Sequence, residues 1–261
     1  LQSPPVIKFS NKTGIPGLQP NKLSQDGVMN SISDWNPDLI VVAAYGKILG
    51  QNILDYPEFG CINVHASLLP SWRGASPIQS AILSGDPKTG VTIMKMDAGI
   101  DTGEILTQRE IQISDSDTTA TLSKKLAEIG AELLINTLPE YFSGKIILKE
   151  QDEIRASHTQ LIKKIDGILN FQKSAEELER QIQAYNPWPI SFFRWNGKSI
   201  KVYKAKVLRS NILPSGKKGV IDKYPSVGTG NRDLQLLELQ MPGKQIIDGK
   251  AFLNGARNWS D

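Results

Sequence analysis

Asn63 and His65 are the residues whose types and spacing most clearly suggest chemistry. They lie two positions apart in the short apolar run from Gly60 to Ala66. Because side chains alternate along a β-strand, both would project from the same face. A side-chain amide and an imidazole directed at one crevice suit a reaction in which negative charge develops on a carbonyl oxygen. The pair therefore predicts carbonyl chemistry, although a single histidine on a strand is more often structural.

Asp101 is the acid that would complete this arrangement. It lies between Gly99 and Gly103, and glycines permit a tight backbone that approaches a ligand closely. A carboxylate beside an imidazole favours the protonated ring and holds its orientation. We therefore expect Asp101 to lie against His65 and keep it charged. Asp-Thr-Gly alone is a common turn, so the prediction depends on the three residues together.

These residues need a scaffold, and the first half of the chain predicts one of α/β type. Residues 38–45 form a continuous apolar run, as expected of a strand covered on both faces. Residues 91–96 alternate apolar and polar types, which predicts a strand with one face more exposed. Alternating helices and strands over residues 20–145 predict a Rossmann-like, mostly parallel sheet. In such sheets catalytic groups gather at the carboxyl ends of strands, where His65 would lie.

The last third of the chain has a different pattern. Residues 149–165 are polar and charged, which indicates a linker. Asn196-Gly197 between two β-like runs is a strong hairpin signal, and several more short strands follow. We expect a small OB-type β-barrel there. The predicted organisation is a catalytic domain over 1–148, a linker over 149–165 and a barrel over 166–261.

The charge of the chain is concentrated in this C-terminal region. Residues 166–261 contain 15 Lys or Arg against 9 Asp or Glu, and such an excess suggests a polyanionic partner such as nucleic acid. A solvated lysine-rich surface is an equally good interpretation of the charge alone. The candidate phosphate contacts on one predicted strand are Lys201, Lys204, Lys206 and Arg209.

Composition also excludes several classes of protein. Cys61 is the single cysteine, so neither an intrachain disulfide nor a cysteine-based metal cluster can form. The two histidines, His65 and His158, are too far apart in sequence to suggest a zinc site. No run approaches the roughly 18 apolar residues that a membrane helix needs. We therefore expect a cytoplasmic protein without a membrane segment or a metal.

Longer strings around these residues resemble the folate-dependent formyltransferase family. The first is Asn-Val-His-Ala-Ser-Leu-Leu-Pro-x-Trp-Arg-Gly over 63–74, and the second is Thr-Gly-Val-Thr-Ile-Met-x-Met-Asp-x-Gly-x-Asp-Thr-Gly over 89–103. The Trp72-Arg73 version is similar to the methionyl-tRNA branch. Asn-Pro-Trp-Pro at 186–189 and the strings at 240–244 and 252–257 also resemble that branch, so the likeness covers nearly the whole chain.

The resemblance implies transfer of a formyl group from 10-formyltetrahydrofolate to the α-amino group of methionyl initiator tRNA. It implies that Asn63, His65 and Asp101 are catalytic and that the barrel binds tRNA. It also implies a monomer, and a folate site that includes the backbone of 44–49. The folate-binding residues that it implies are Ser67, Leu68, Leu69 and Pro70.

One departure from the family concerns the start of the chain. The family's domain begins with a strand, a helix and a basic loop that contacts tRNA, and from the resemblance we expect the given sequence to start after all three. We expect Leu1-Gln-Ser-Pro-Pro5 to correspond to the residues just after that loop. The sheet would then be without its first strand.

Three alternatives remain open. Formyltransferases acting on a glycinamide ribonucleotide or an amino sugar, and formyl-folate hydrolases, would share the catalytic residues but not the 186–189 motif or the basic barrel. A nucleotide-binding oxidoreductase is disfavoured because no Gly-x-Gly-x-x-Gly lies between a strand and a helix. An RNA-binding module with an inactive catalytic domain would bind tRNA without transferring a formyl group.

Overall fold

The computed structural model describes residues 4–260. The expectation about the first three residues, 1–3, therefore lies outside the described part of the chain. Within it, the first half contains helices and strands in alternation. In chain order they are α1 Pro5–Thr13, α2 Val28–Trp35, β1 Ile40–Ala43, α3 Gln51–Leu54, β2 Cys61–His65, α4 Pro77–Ser84, β3 Lys88–Lys95, β4 Ile105–Gln112 and α5 Thr119–Phe142.

These four strands form one sheet in the order β1-β2-β3-β4. The α/β class is confirmed, but the expectation of mostly parallel strands is wrong for the described residues. Only β1 and β2 pair in parallel, whereas β2–β3 and β3–β4 are antiparallel. The connection between β3 and β4 spans only residues 96–104, and a parallel crossover needs a dozen or more residues.

The burial of two strands differs from the sequence pattern. β1 was expected to be covered on both faces, yet it is an edge strand on which Val41 is 41% exposed. β3 was expected to expose one face, but its six inner residues, 89–94, are all buried. It lies between two strands, with α5 on one face and the loop after β2 on the other.

Helix α5 packs closely against the strands of the sheet that carries the site. Thr118 caps its N-terminus by accepting a hydrogen bond from the Thr121 backbone N–H at 3.3 Å. Gly130 lies so close to the sheet that an added Cβ would meet Val64 at 2.9 Å and Val91 at 3.5 Å. The absence of a side chain at Gly130 thus lets α5 pack directly over β2 and β3.

The second half of the described chain is an antiparallel domain, as expected. Its elements are α6 Ala175–Ala184, β5 Ser191–Trp195, β6 Lys198–Leu208, β7 Lys218–Ile221, β8 Tyr224–Gly228, β9 Asp233–Gln240, β10 Ile246–Asp248 and α7 Gly249–Gly255. Strands pair in the order β5-β6-β9-β8-β7, with β10 on β9. No pairing joins β5 to β7 in the part of the chain that is described. The domain is therefore an open sheet, whereas a barrel closed by hydrogen bonds was expected.

Helix α6 connects the two halves of the molecule. Its Leu178 and Ile182 are buried in the core of the antiparallel domain. On its other side, Arg180 Nε donates to the Leu83 carbonyl at 3.1 Å, and Thr119 Oγ donates to the Ala184 carbonyl at 2.6 Å. The helix therefore contacts both domains. Among the described helices, none combines the length and the apolar character that crossing a membrane would require.

Candidate active site

The three predicted catalytic side chains meet at the carboxyl end of β2. Asn63 Nδ2 donates to Asp101 Oδ1 at 3.3 Å, and His65 Nδ1 lies 3.5 Å from Asp101 Oδ2. The amide and the imidazole are brought together by strand alternation, while Asp101 arrives on the loop between β3 and β4. The structure therefore places all three residues in one cluster.

Asp101 is held in a backbone conformation that few residues adopt. Its φ is 54°, in the left-handed region, where a residue other than glycine costs on the order of 1–3 kcal/mol. Its Oδ2 accepts a hydrogen bond from the Gly74 backbone N–H at 2.8 Å. Gly74 has φ 109°, a value that only glycine adopts readily. Strain of this kind is found mostly at functional sites.

His65 is deeply buried, with 5% of its surface exposed. Its Nε2 lies 3.2 Å from the Trp72 carbonyl oxygen, and its Nδ1 faces Asp101. Burial lowers the pKa of His65 from its ordinary value of 6.5, although the Asp101 carboxylate and the Trp72 carbonyl both act to raise it. Burial therefore opposes the charged state of His65 that Asp101 is expected to maintain, and the net shift of the pKa is downward.

Both ring nitrogens of His65 face hydrogen-bond acceptors, and this has a chemical consequence. A neutral imidazole has one N–H and can satisfy only one of the two acceptors, whereas the imidazolium satisfies both. The two acceptors that face the ring favour its protonated form, whereas burial favours the neutral ring. It is thus poised to accept a proton during a reaction.

The loop after β2 is fixed by internal hydrogen bonds. Ser67 Oγ donates to the Ser71 carbonyl at 2.6 Å, and Thr92 Oγ donates to the Ser67 carbonyl at 2.7 Å. Ser67 and Leu69 are buried, whereas Leu68 and Pro70 are partly exposed. Of the four predicted folate-binding residues, only the latter two therefore have side chains open to a ligand.

Residues 149–160 form a part of the site that the sequence did not reveal. This segment, whose polar composition predicts a linker, lies along the loop after β2. The Arg73 backbone N–H donates to the Ser157 carbonyl at 2.8 Å, and the Thr159 N–H donates to the Arg73 carbonyl at 2.7 Å. The Trp72 N–H donates to Ser157 Oγ at 2.9 Å. We call residues 149–160 the strap; nothing in its polar composition distinguishes it from a flexible connection.

A groove lies beside the cluster and extends along the strap. It has a volume of about 440 Å³, within the range of roughly 300–1,000 Å³ typical of ligand sites. Pro70, Gln108, Lys149 and Gln151 are among its lining residues. Gln151 also contacts the Asp101 backbone, so it connects the groove to the cluster, whose three side chains do not line the groove. Across the described residues, no group of three or more His, Cys, Asp or Glu is arranged to hold a metal ion.

Several solved structures have a similar fold. HypX from Aquifex aeolicus matches with a TM-score of 0.69 and 15% identity over 89% of this chain and 42% of that chain. WlaRD, a sugar 3N-formyltransferase, matches with 0.68 and 19% over 92% and 82% of the two chains. The methionyl-tRNA formyltransferase from Clostridium thermocellum matches with 0.58 and 20% over 78% and 88%. The chain spans less than half the length of HypX, and identities this low establish the fold alone.

Two family models match the sequence itself. The model described as "Formyl transferase" covers residues 1–138, and "Formyl transferase, C-terminal domain" covers residues 161–257. The first model includes Asn63, His65 and Asp101, and it alone matches more than half of the chain. The interval between the two models, residues 139–160, contains the whole strap. From these matches, the chain belongs to the formyl transferase family.

Proposed function

We propose that this chain transfers a formyl group from 10-formyltetrahydrofolate to the α-amino group of methionine on initiator tRNA. The observation that carries the proposal is the cluster of Asn63, His65 and Asp101, which combines an amide donor, a poised proton acceptor and a fixed carboxylate. Membership of the formyl transferase family supports the reaction class. The choice of acceptor rests on separate features of the sequence and of the second domain.

In the proposed reaction the free amine attacks the formyl carbon, and negative charge develops on the formyl oxygen. Asn63 directs one Nδ2 hydrogen to Asp101, which leaves the second amide hydrogen for that oxygen. Removing one such donor typically lowers the rate by about 10²–10³-fold. Asn63 is therefore a catalytic residue in this proposal, oriented by the carboxylate beside it.

In this proposal His65, with Asp101 beside it, accepts the proton that the attacking amine loses. The attacking amine gains positive charge as the new C–N bond forms, and it must lose a proton for the product amide to be stable. The neutral His65 ring takes up this proton, because its charged form satisfies both Asp101 and the Trp72 carbonyl. The breaking bond is that between the formyl carbon and the donor nitrogen, which receives the proton as it leaves.

The formyl donor fits the groove and the loop after β2. The exposed backbone of 44–48 follows β1, which pairs in parallel with β2, so this segment leaves the sheet at the same edge as His65. Backbone N–H and C=O groups suit a flat, hydrogen-bonding ring edge, and partly exposed Leu68 and Pro70 provide apolar contact. The donor supplies the formyl group, and these residues hold it at the cluster.

An amino sugar is the alternative acceptor, favoured by the structural likeness to WlaRD. The tRNA assignment is supported by the Trp72-Arg73 string and by the basic second domain. In the structure Trp72 Nε1 donates to Asp86 Oδ2 at 2.7 Å, which holds the tryptophan beside the cluster. Lys201, Lys204 and Lys206 are all exposed on β6, where a register shift between Val202 and Ala205 turns them to one surface.

A direct comparison of acceptors tests the proposal. We expect the full chain, given 10-formyltetrahydrofolate, to formylate methionyl initiator tRNA at least about 10²-fold faster, by kcat/KM, than a nucleotide-linked amino sugar, because tRNA also gains phosphate contacts. The Asp101→Asn variant serves as the inactive control. Faster reaction with the amino sugar would contradict the tRNA assignment while leaving formyl transfer intact. Binding of tRNA without transfer to either acceptor would contradict both.

The lysines of β6 provide an independent prediction. Replacing Lys201, Lys204 and Lys206 together by Gln should weaken tRNA binding and flatten its dependence on salt, by about one unit of slope for each lost phosphate contact. Binding titrations between low and moderate salt measure this slope. Lys88→Gln is a matched control, since that lysine is paired with Glu110 at 2.7 Å on the other domain. An unchanged slope in the triple variant would show that this surface does not contact tRNA.

A further inference from the structure

Gln151, on the strap, makes hydrogen bonds to the backbone of the loop that carries Asp101. Its Nε2 donates to the Asp101 carbonyl at 2.9 Å and to the Gly103 carbonyl at 2.7 Å. Both amide hydrogens are thus used on the backbone of one short turn. The contact reaches the main chain at Asp101 rather than its carboxylate, so it constrains where the residue lies without competing for the oxygens that face His65 and Gly74.

Arg73 anchors the other end of the Gln151 side chain. Arg73 Nε donates to Gln151 Oε1 at 3.0 Å, which fixes the orientation of the amide as well as its position. The arginine is 1% exposed. It is itself held by a two-point contact with Glu153, whose carboxylate oxygens lie 2.9 Å and 2.7 Å from its terminal nitrogens. A buried, doubly paired guanidinium is a rigid support.

The Asp101 turn needs such support. A residue other than glycine at φ 54° persists only where its surroundings over-determine the conformation. The Gly74 N–H and Asn63 hold the carboxylate of Asp101, and Gln151 holds its carbonyl. Without the strap, the main chain of this turn would be free to relax from its strained conformation and carry the carboxylate away from His65.

We infer that Gln151, oriented by Arg73, is a positioning residue that sets the distance between Asp101 and His65. This inference rests on the proposed formyl transfer for its kinetic consequence. Its structural content stands independently, because the position of Asp101 affects how readily His65 takes up a proton. Displacement of a catalytic group by about 1 Å can lower a rate by about 10²-fold.

The test replaces Gln151 by Met, which is similar in shape, uncharged and unable to make the three hydrogen bonds. We expect kcat to fall by about 10²-fold with little change in the KM of the amine acceptor. We also expect the midpoint of the His65 titration, followed by NMR of the imidazole, to move to lower pH, since a displaced carboxylate stabilises the imidazolium less. The spectrum holds signals from only two histidines, His65 and His158, and the His65→Gln variant assigns them.

Gln181 provides a matched control. Its Nε2 likewise donates to two backbone carbonyls, those of Asp166 at 3.2 Å and Ile168 at 3.1 Å. Gln181 is buried, whereas Gln151 is half-buried, and Gln181 lies in the second domain. Gln181→Met should lose stability yet keep the His65 midpoint. Should Gln151→Met fail to fold, Gln151→Leu removes the same hydrogen bonds with a smaller side chain, and both its kcat and its His65 midpoint must fall.

The outcomes separate the two proposals. Wild-type turnover and an unchanged His65 midpoint in Gln151→Met would overturn the positioning role. A loss of turnover with an unchanged midpoint would also overturn it, because a general structural defect would then be the cause. If the wild-type chain transfers no formyl group at all, the proposed function fails, whereas a shifted His65 midpoint in Gln151→Met still supports the positioning role.

Discussion

Replacing His65 by Gln should lower kcat for formyl transfer by about 10²–10⁴-fold, the usual contribution of general acid–base catalysis. Glutamine retains an amide that can reach the Trp72 carbonyl, so the pocket keeps a polar partner where His65 Nε2 now lies 3.2 Å away. It cannot take up the proton of the attacking amine. Thermal unfolding of the variant should confirm that the loss is chemical rather than structural.

The pH dependence of the same variant makes the prediction sharper. The substrate amine must be neutral to attack. The pH–rate profiles of wild type and variant should therefore share one limb, in which the rate falls below the amine pKa of about 7.7–8.0. His65 must also be neutral, and burial lowers its pKa from 6.5, so its limb lies at still lower pH. Below that pKa the logarithm of the wild-type rate should fall with a slope of two, whereas the slope for His65→Gln stays at one. Equal slopes would exclude His65 as the proton acceptor.

Asp101→Asn should have an effect of comparable size. In the serine protease triad, the same isosteric change beside an imidazole costs about 10⁴-fold, and we expect a loss of at least about 10²-fold here. Asparagine tolerates the left-handed backbone, so the φ of 54° at this position is not the cause of the loss. The charge that raises the His65 pKa disappears, and NMR titration should therefore show a further fall in that pKa.

Asp97→Asn is the matched control for this change. Asp97 lies on the same loop, is exposed, and accepts hydrogen bonds from the Gly99 N–H at 2.9 Å and Thr102 Oγ at 2.7 Å. It does not contact His65, so its variant should keep kcat within a few-fold of wild type. Equal losses for both variants would mean that loop folding, and not the Asp101 carboxylate, limits the rate.

The cluster itself could be predicted from the sequence because its causes are local. Asn63 and His65 share a face through the two-residue period of a strand. The glycines around Asp101 mark a turn in which the backbone packs closely against its neighbours. Gly103 bears this out, since an added Cβ there would collide with the Lys95 carbonyl. Similarly, Asn196 and Gly197 both have positive φ in the hairpin that their types predict.

The remaining features depend on contacts between distant parts of the chain. The pattern of β3 suggested an exposed face because Thr92 is polar, yet Thr92 is buried, where it bonds the Ser67 carbonyl. The charge state of His65 depends on burial, which residue types alone do not give. The strap is recognisable only once Arg73 is seen to lie between Gln151 and Glu153, 78 and 80 positions away.

The strap also changes what counts as a separable piece of this protein. A fragment that ends at residue 148 would leave behind Gln151, Glu153, Ser157 and Thr159, and with them the partners of a buried arginine. An unpaired buried charge is strongly destabilising, so such a fragment would lose the loop that carries the chemistry. Chimaeras that exchange the second domain between relatives would therefore have to exchange it beyond residue 160, because the stretch before that point functions as catalytic-domain sequence.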